Sequence, residues 1–279
     1  MTGVPVPLAG GQGRSVRVGG AVLKPAEGSD EEAEWAAELA ESLVHGSGFR
    51  VPRPLRAADG RCVVDGWTAC EFLAGEPGPR GRWSGVLDAG RAFHTALRGV
   101  PRPDFLDRRT HPWAVGDRVA WLEQDAEVVD DLAEPLATLL ELRRPVEQDA
   151  AQLIHGDLTG NVLFAEDAED HEDGDRVPIV IDFSPYWRPP LFAEAVVVAD
   201  GLLWFDLPPE LLTGAGDDPA REQRWRQMLI RALIFRLVAD SENAGRGGRV
   251  GSGVQERYAG AIGAVVDKSA KVRRRRADS

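Results

Sequence analysis

The chain has 279 residues, of which 43% are hydrophobic and 28% charged, and a formal net charge of −12. That length can bury a substantial core, as one large domain or two lobes of ordinary size, and the apolar content argues against wholesale disorder. Nucleic acid, which needs a basic face, is excluded as a partner, and neither a membrane span nor a secretion signal is evident, so the cytoplasm is the expected compartment.

In chain order, the segment to about Pro25 is glycine-rich and strand-like. Val6-Pro-Leu-Ala9 and Ser15-Val-Arg-Val18 flank Gly10-Gly-Gln-Gly13-Arg14, where the glycines supply a tight, backbone-exposed turn. Ala21-Val-Leu-Lys24 follows as another strand. Ser29-Asp30 with Glu31 and Glu32 marks a helix start, and the helix is predicted to run to about Val44. Val51-Pro-Arg-Pro54 and Arg61 to Phe72 read as strands, with turns at Asp59-Gly60 and Asp65-Gly66. Cys62 and Cys70, the only cysteines, lie in these apolar segments and are expected to be reduced packing residues; no histidine stands at zinc-ligand spacing from them. Leu73-Ala-Gly75-Glu-Pro-Gly78 has no periodicity and is expected to separate residues 1–73 from residues 74–270.

The pattern then turns helical, with helices predicted at Gly85–Leu97, Pro112 to about Glu127, Asp130 to about Arg143 and Pro145–Ala151. A strand pair, Asn161-Val-Leu-Phe164 and Pro178 to Asp182, interrupts them around the acidic run Glu166–Asp175, which reads as a solvated hairpin tip. Ser184-Pro-Tyr-Trp-Arg-Pro-Pro190 is expected to lead directly into a helix at Leu191–Phe205. Further helices are predicted at Pro219 to about Ser241 and Ser252 to about Lys271. Residues 271–279, which open with KVRRRR, read as a basic, disordered tail.

The chemistry concentrates in His155-Gly-Asp-Leu-Thr-Gly-Asn161 and Ile181-Asp182-Phe183. Asp157 and Asn161 lie in a short loop between apolar segments, where unpaired polar groups would cost about 1–3 kcal/mol each. Asp182 ends a strongly apolar strand, a position that suits a metal ligand. A carboxylate to take a hydroxyl proton, with an amide and a second carboxylate to hold magnesium, is the equipment of phosphoryl transfer from ATP.

These motifs, in this order, resemble the catalytic and metal-binding loops of the aminoglycoside phosphotransferase family. The resemblance implies an α+β, two-lobed protein-kinase-like fold with a small β-rich N-lobe and a larger helical C-lobe. It also implies an ATP- and Mg-dependent transfer to a hydroxyl of a small acceptor. Asp157 would be the base, His155 the residue that shapes the loop, and Asn161 and Asp182 the magnesium ligands. Gly10, Gly11 and Gly13 would cover the phosphates, Lys24 would bind ATP, and Glu71 to Leu73 would meet adenine. Glu38 is assigned as the acidic partner of Lys24 from family spacing, with Glu34 as an alternative; helical phase favours Glu32. The family usually has four residues between base and Asn. Here there are three, and Gly160 is expected to let the shorter loop reach. Tyr186, Trp187 and Arg188 are candidates for the acceptor pocket, and Asp200 for acceptor binding or a structural hydrogen bond. Two other readings stand beside this one: a nucleotide-binding module without turnover, acting as sensor or scaffold, and a metal-dependent hydrolase built on His155, Asp157 and Asp182.

Overall fold

The glycine-broken N-terminal segments form an antiparallel meander of β1 (Val6–Pro7), β2 (Val16–Val18), β3 (Ala21–Pro25) and β4 (Trp67–Glu71). The structure, a computed structural model, describes residues 3–8, 13–26, 28–43, 48–146, 151–165, 177–212, 218–245 and 247–277, with side chains as far as residue 267. Register sets Val22 opposite Cys70 and Lys24 opposite Thr68. Helix α1 (Asp30–Ser42) connects β3 to the segment before β4. The Ser29 hydroxyl accepts the Glu32 N–H, and three acidic residues occupy the electropositive first turn. Of the two strands read from sequence here, Arg61 to Phe72 is regular only over β4, and Val51–Pro54 forms no regular strand. The segment around 51–64 makes isolated bridges, Pro54 with Cys70 and Val64 with Trp67. Pro52 and Pro54 lack the N–H groups a continuous ladder needs.

Beyond the connector, β5 (Glu76–Pro77) pairs with β7 (Val162–Phe164), which pairs in turn with β8 (Ile179–Val180). The predicted hairpin therefore forms, with Val162 opposite Val180. A separate two-stranded sheet joins β6 (Gln152–His155) to β9 (Pro185–Arg188). The segment after Asp182 thus carries a strand before its helix. Helix α2 (Trp83–Ala96) packs its apolar face, which includes Val86, Leu87 and Phe93, against β6 and β8.

The chain divides into two compact units, Met1–Arg108 with Gln152–Pro190, and Arg109–Ala151 with Leu191–Ser279. The first holds the strands, α1 and α2. The second holds α3 (Pro112–Ala120), α4 (Asp130–Leu142), most of α5 (Pro190–Trp204), α6 (Pro219–Ala244) and α7 (Val254–Ala277). α3 stops short of Glu127, and Leu122 just beyond it takes a left-handed backbone at φ 66°. Residues 143–146 and 151 are not helical, and the rest of that predicted helix lies outside the described residues, as does the acidic run 166–176. α5 is apolar almost all round and correspondingly buried. Its one buried charge, Asp200, makes two 2.7 Å hydrogen bonds to Arg236 of α6. α6 also finishes both ends of α4. The Ser241 hydroxyl accepts the Val129 N–H at its start, and Gln227 donates to the Leu142 carbonyl at its end. α7 continues as helix through the basic run to Ala277. Among the described residues no helix is long and apolar enough to cross a membrane.

Candidate active site

The site is assembled in the first unit from the turn after β6, the turn after β8 and the end of β3. His155 ends β6 fully buried. Gly156 follows because a Cβ there would run into the Tyr186 ring of β9, and its N–H donates to the Ser184 carbonyl at 2.9 Å. The Asp157 N–H donates to His155 Nδ1 at 3.1 Å, so the ring proton is on Nε2, which donates to the Ile181 carbonyl at 3.1 Å. One imidazole thereby ties the peptide of Asp157 to the residue just before Asp182. Burial lowers the His155 pKa and keeps the ring neutral, as an accepting Nδ1 requires. With both nitrogens engaged by backbone, His155 has none to offer a metal, which removes the basis of the hydrolase reading.

Gly160 turns the short loop back with φ 82°, and its N–H donates to the Gly78 carbonyl at 3.0 Å. Asn161 then lies against Asp157. Its Nδ2 donates to the Asp157 carbonyl at 2.8 Å and to Oδ2 at 3.2 Å, while its own carbonyl accepts the Ile181 N–H at 2.9 Å. Asp182 takes φ 48°, a left-handed conformation Asp tolerates better than most residues. Its Oδ1 meets Lys24 Nζ at 2.6 Å, with 34% and 36% of the two side chains exposed. The structure therefore brings Lys24, His155, Asp157, Asn161 and Asp182 into one connected set.

Glu38 is not part of that set. It is exposed on α1 and unpaired among the described residues. Its neighbours are committed elsewhere: Glu34 and Glu41 pair with Arg56, and Glu31 pairs with Arg108. Gly10 and Gly11 lie outside the described residues. Gly13 has φ 68° in open space. Glu71 donates its N–H to the Arg53 carbonyl at 2.8 Å, and its carboxylate meets Arg53 at 3.3 Å. The Leu73 N–H has no hydrogen bond among the described residues. Cys62 and Cys70 are free thiols, and burial pushes Cys70, on β4, up to about 11. Tyr186 is buried beneath Gly156 rather than open to an acceptor.

Asn161 Nδ2 is turned to Asp157, so the side-chain donor is used there, and the amide oxygen and the Asp182 carboxylate are oxygen ligands by type. Such ligands fit magnesium, which keeps water and phosphate oxygens in its remaining positions. Among the described residues no group of three His, Cys, Asp or Glu is arranged to hold an ion.

A family model described as phosphotransferase enzyme family matches residues 7–233. The chain belongs to that family. No curated protein matches this phosphotransferase-family chain. Among solved structures it is similar to an aminoglycoside phosphotransferase from Alicyclobacillus acidocaldarius, with 14% identity, TM-score 0.56, and 94% of this chain and 89% of the other covered. A choline/ethanolamine kinase family protein from Mesorhizobium loti has 17% identity and TM-score 0.54, covering 95% and 92%. A spectinomycin phosphotransferase, solved with ADP and spectinomycin, has 12% identity and TM-score 0.50, covering 94% and 92%. The fold of this phosphotransferase-family chain is the α+β, two-lobed protein-kinase-like fold, with a small sheet-bearing N-terminal part and a larger helical part.

Sequence reasoning missed three supports of the family motif. Phe183 gathers rings from separate segments: Phe93 at 5.2 Å, His155 at 5.6 Å and Trp35 at 6.3 Å between centroids. Gln152 donates to the His94 carbonyl at 2.7 Å, and His94 Nε2 accepts the His155 N–H at 3.0 Å. The available signal was a lone histidine on the apolar face of α2, a pattern that ordinary core packing also produces.

Proposed function

We propose that this chain is a small-molecule kinase that transfers the γ-phosphoryl group of ATP, with magnesium, to a hydroxyl of its acceptor in the cytoplasm. The observation that carries the reading is the hydrogen-bonded linkage of Asp157, Asn161 and the Ile181-Asp182 turn, with Lys24 on Asp182. Asn161 pins Oδ2 of Asp157, giving the carboxylate a fixed orientation in which to take the acceptor's hydroxyl proton. As that proton leaves, the oxygen–phosphorus bond forms, the bond from phosphorus to the β,γ-bridging oxygen breaks, and ADP departs. The Asn161 amide oxygen and the Asp182 carboxylate would hold magnesium, which would supply neutralising charge on the phosphates. Lys24 and the backbone of the glycine turn hold the triphosphate, and the open Leu73 N–H offers adenine a donor. The two free thiols suit a reducing compartment.

The solved neighbours are described as acting on aminoglycoside, spectinomycin, or choline and ethanolamine, so amino sugars and amino alcohols are the first acceptors to try. ADP release from such a panel tests the reading. Asp157→Ala should lose about 10²–10⁴-fold in turnover with nucleotide affinity nearly intact. Asp182→Ala should weaken binding of the magnesium nucleotide. Wild-type turnover in purified Asp157→Ala overturns the mechanism.

A further inference from the structure

We propose that His94 is a positioning residue for phosphoryl transfer, its imidazole holding the backbone of the turn that carries Asp157. The proposal rests on the phosphotransfer reading above and adds a residue outside the motifs that led to it.

Among the described residues β6 has one strand partner, β9. Toward α2, the N–H of its last residue, His155, is met by an imidazole: His94 Nε2 accepts it at 3.0 Å. At the other end of the same four-residue strand, Gln152 Nε2 donates to the His94 carbonyl at 2.7 Å. His94 therefore grips both ends of β6. The next contacts continue the pattern, with His155 Nδ1 accepting the Asp157 N–H and His155 Nε2 donating to the Ile181 carbonyl. A route of direct hydrogen bonds thus runs from α2 to the backbone on which both proposed carboxylates sit.

The direction of each bond follows from tautomer chemistry. An Nε2 that accepts places the single ring proton on Nδ1. In His94 that Nδ1 is buried and has no partner among the described residues. The ring leaves its donor unmet while its acceptor is used, so acceptance of the His155 N–H is the interaction that selects it. A protonated His94 would set N–H against N–H. Burial, with His155 a lesser contributor, holds the His94 pKa down at about 3, which keeps the acceptor available.

Two variants of the full chain separate positioning from bulk packing. His94→Leu keeps approximate volume but has no acceptor, whereas His94→Gln can place an amide oxygen near the Nε2 position. Three quantities are read: kcat and KM for magnesium-ATP from ADP release, the thermal midpoint, and amide hydrogen exchange across residues 155–161. Below its unfolding transition, His94→Leu should lose about 10–100-fold in kcat, as expected for small misplacement of a reacting group, with KM for magnesium-ATP within about twofold. Exchange across 155–161 should quicken. His94→Gln should recover most of both losses. A His94→Leu protein that only melts earlier, at wild-type kcat, shows a structural role and overturns the proposal, as does a His94→Gln variant no better than His94→Leu. Unchanged exchange across 155–161 overturns the grip itself while leaving the phosphotransfer reading standing. A wild type that turns over no ATP overturns both.

Discussion

Single side chains in this site work by charge state as much as by position. Burial lowers the pKa of both His94 and His155, so each stays neutral and accepts a backbone N–H. The consequence for stability has a definite sign. Below pH 6.5 the unfolded chain takes up a proton on His94 that the folded chain refuses until about pH 3. Stability is therefore full above pH 6.5 and falls through that window, by at most about 1.4 kcal/mol per pH unit for this one group. Thermal midpoints should drop between about pH 6.5 and 4.5, and His94→Gln should show a slope shallower by about one proton. A parallel pair of curves would contradict that linkage. At this scale the sequence was legible where polarity interrupts an apolar pattern: Asp157, Asn161 and Asp182 stand out at strand ends. Partner choice was not legible. Lys24 meets Asp182, 158 residues away, and no local spacing rule distinguishes that carboxylate from the five glutamates of α1.

Among the elements, the sheet of β6 and β9 sets the shape of the turn that carries Asp157. Gly156, directly after β6, lies against the Tyr186 ring of β9, which a Cβ would strike. Gly156→Ala should destabilise the protein by about 1–3 kcal/mol in urea unfolding, as overpacking of a filled interior does. Adding Tyr186→Leu should return part of that loss; additivity of the two changes would show that they do not meet. β9 was hidden in the sequence because Pro185, Pro189 and Pro190 bracket a segment with no alternation, and prolines commonly mark loops. The hairpin of β7 and β8 was readable because two apolar runs bounded an acidic stretch. Val51–Pro54 and Arg61–Val64 were over-read for the opposite reason, since their apolar residues have strand character but the prolines and turns beside them do not sustain pairing.

For the molecule as a whole, the order of strand-rich and helical stretches was enough to indicate an α+β protein, and the helices of the second unit formed largely where apolar periodicity placed them. What the pattern left open was the role of Asp200. In the structure it is enclosed with Arg236, both side chains less than a tenth exposed, so the structural reading applies. Asp200→Ala would strand a buried guanidinium and should cost about 3–5 kcal/mol, measured by denaturant unfolding. A loss below about 1 kcal/mol would mean that Arg236 finds water instead. A double change of both residues to apolar ones of similar size should cost less than the single one.

The ring cluster around Phe183 has an optical consequence. Trp35 of α1 stacks on Phe183, the residue directly after Asp182, with 6.3 Å between ring centres. An indole is among the brightest intrinsic fluorophores of a polypeptide, and its emission follows the packing of the rings beside it. The carboxylate turn thus has a light-emitting neighbour supplied by its own chain, one residue away from the group that would grip the cation.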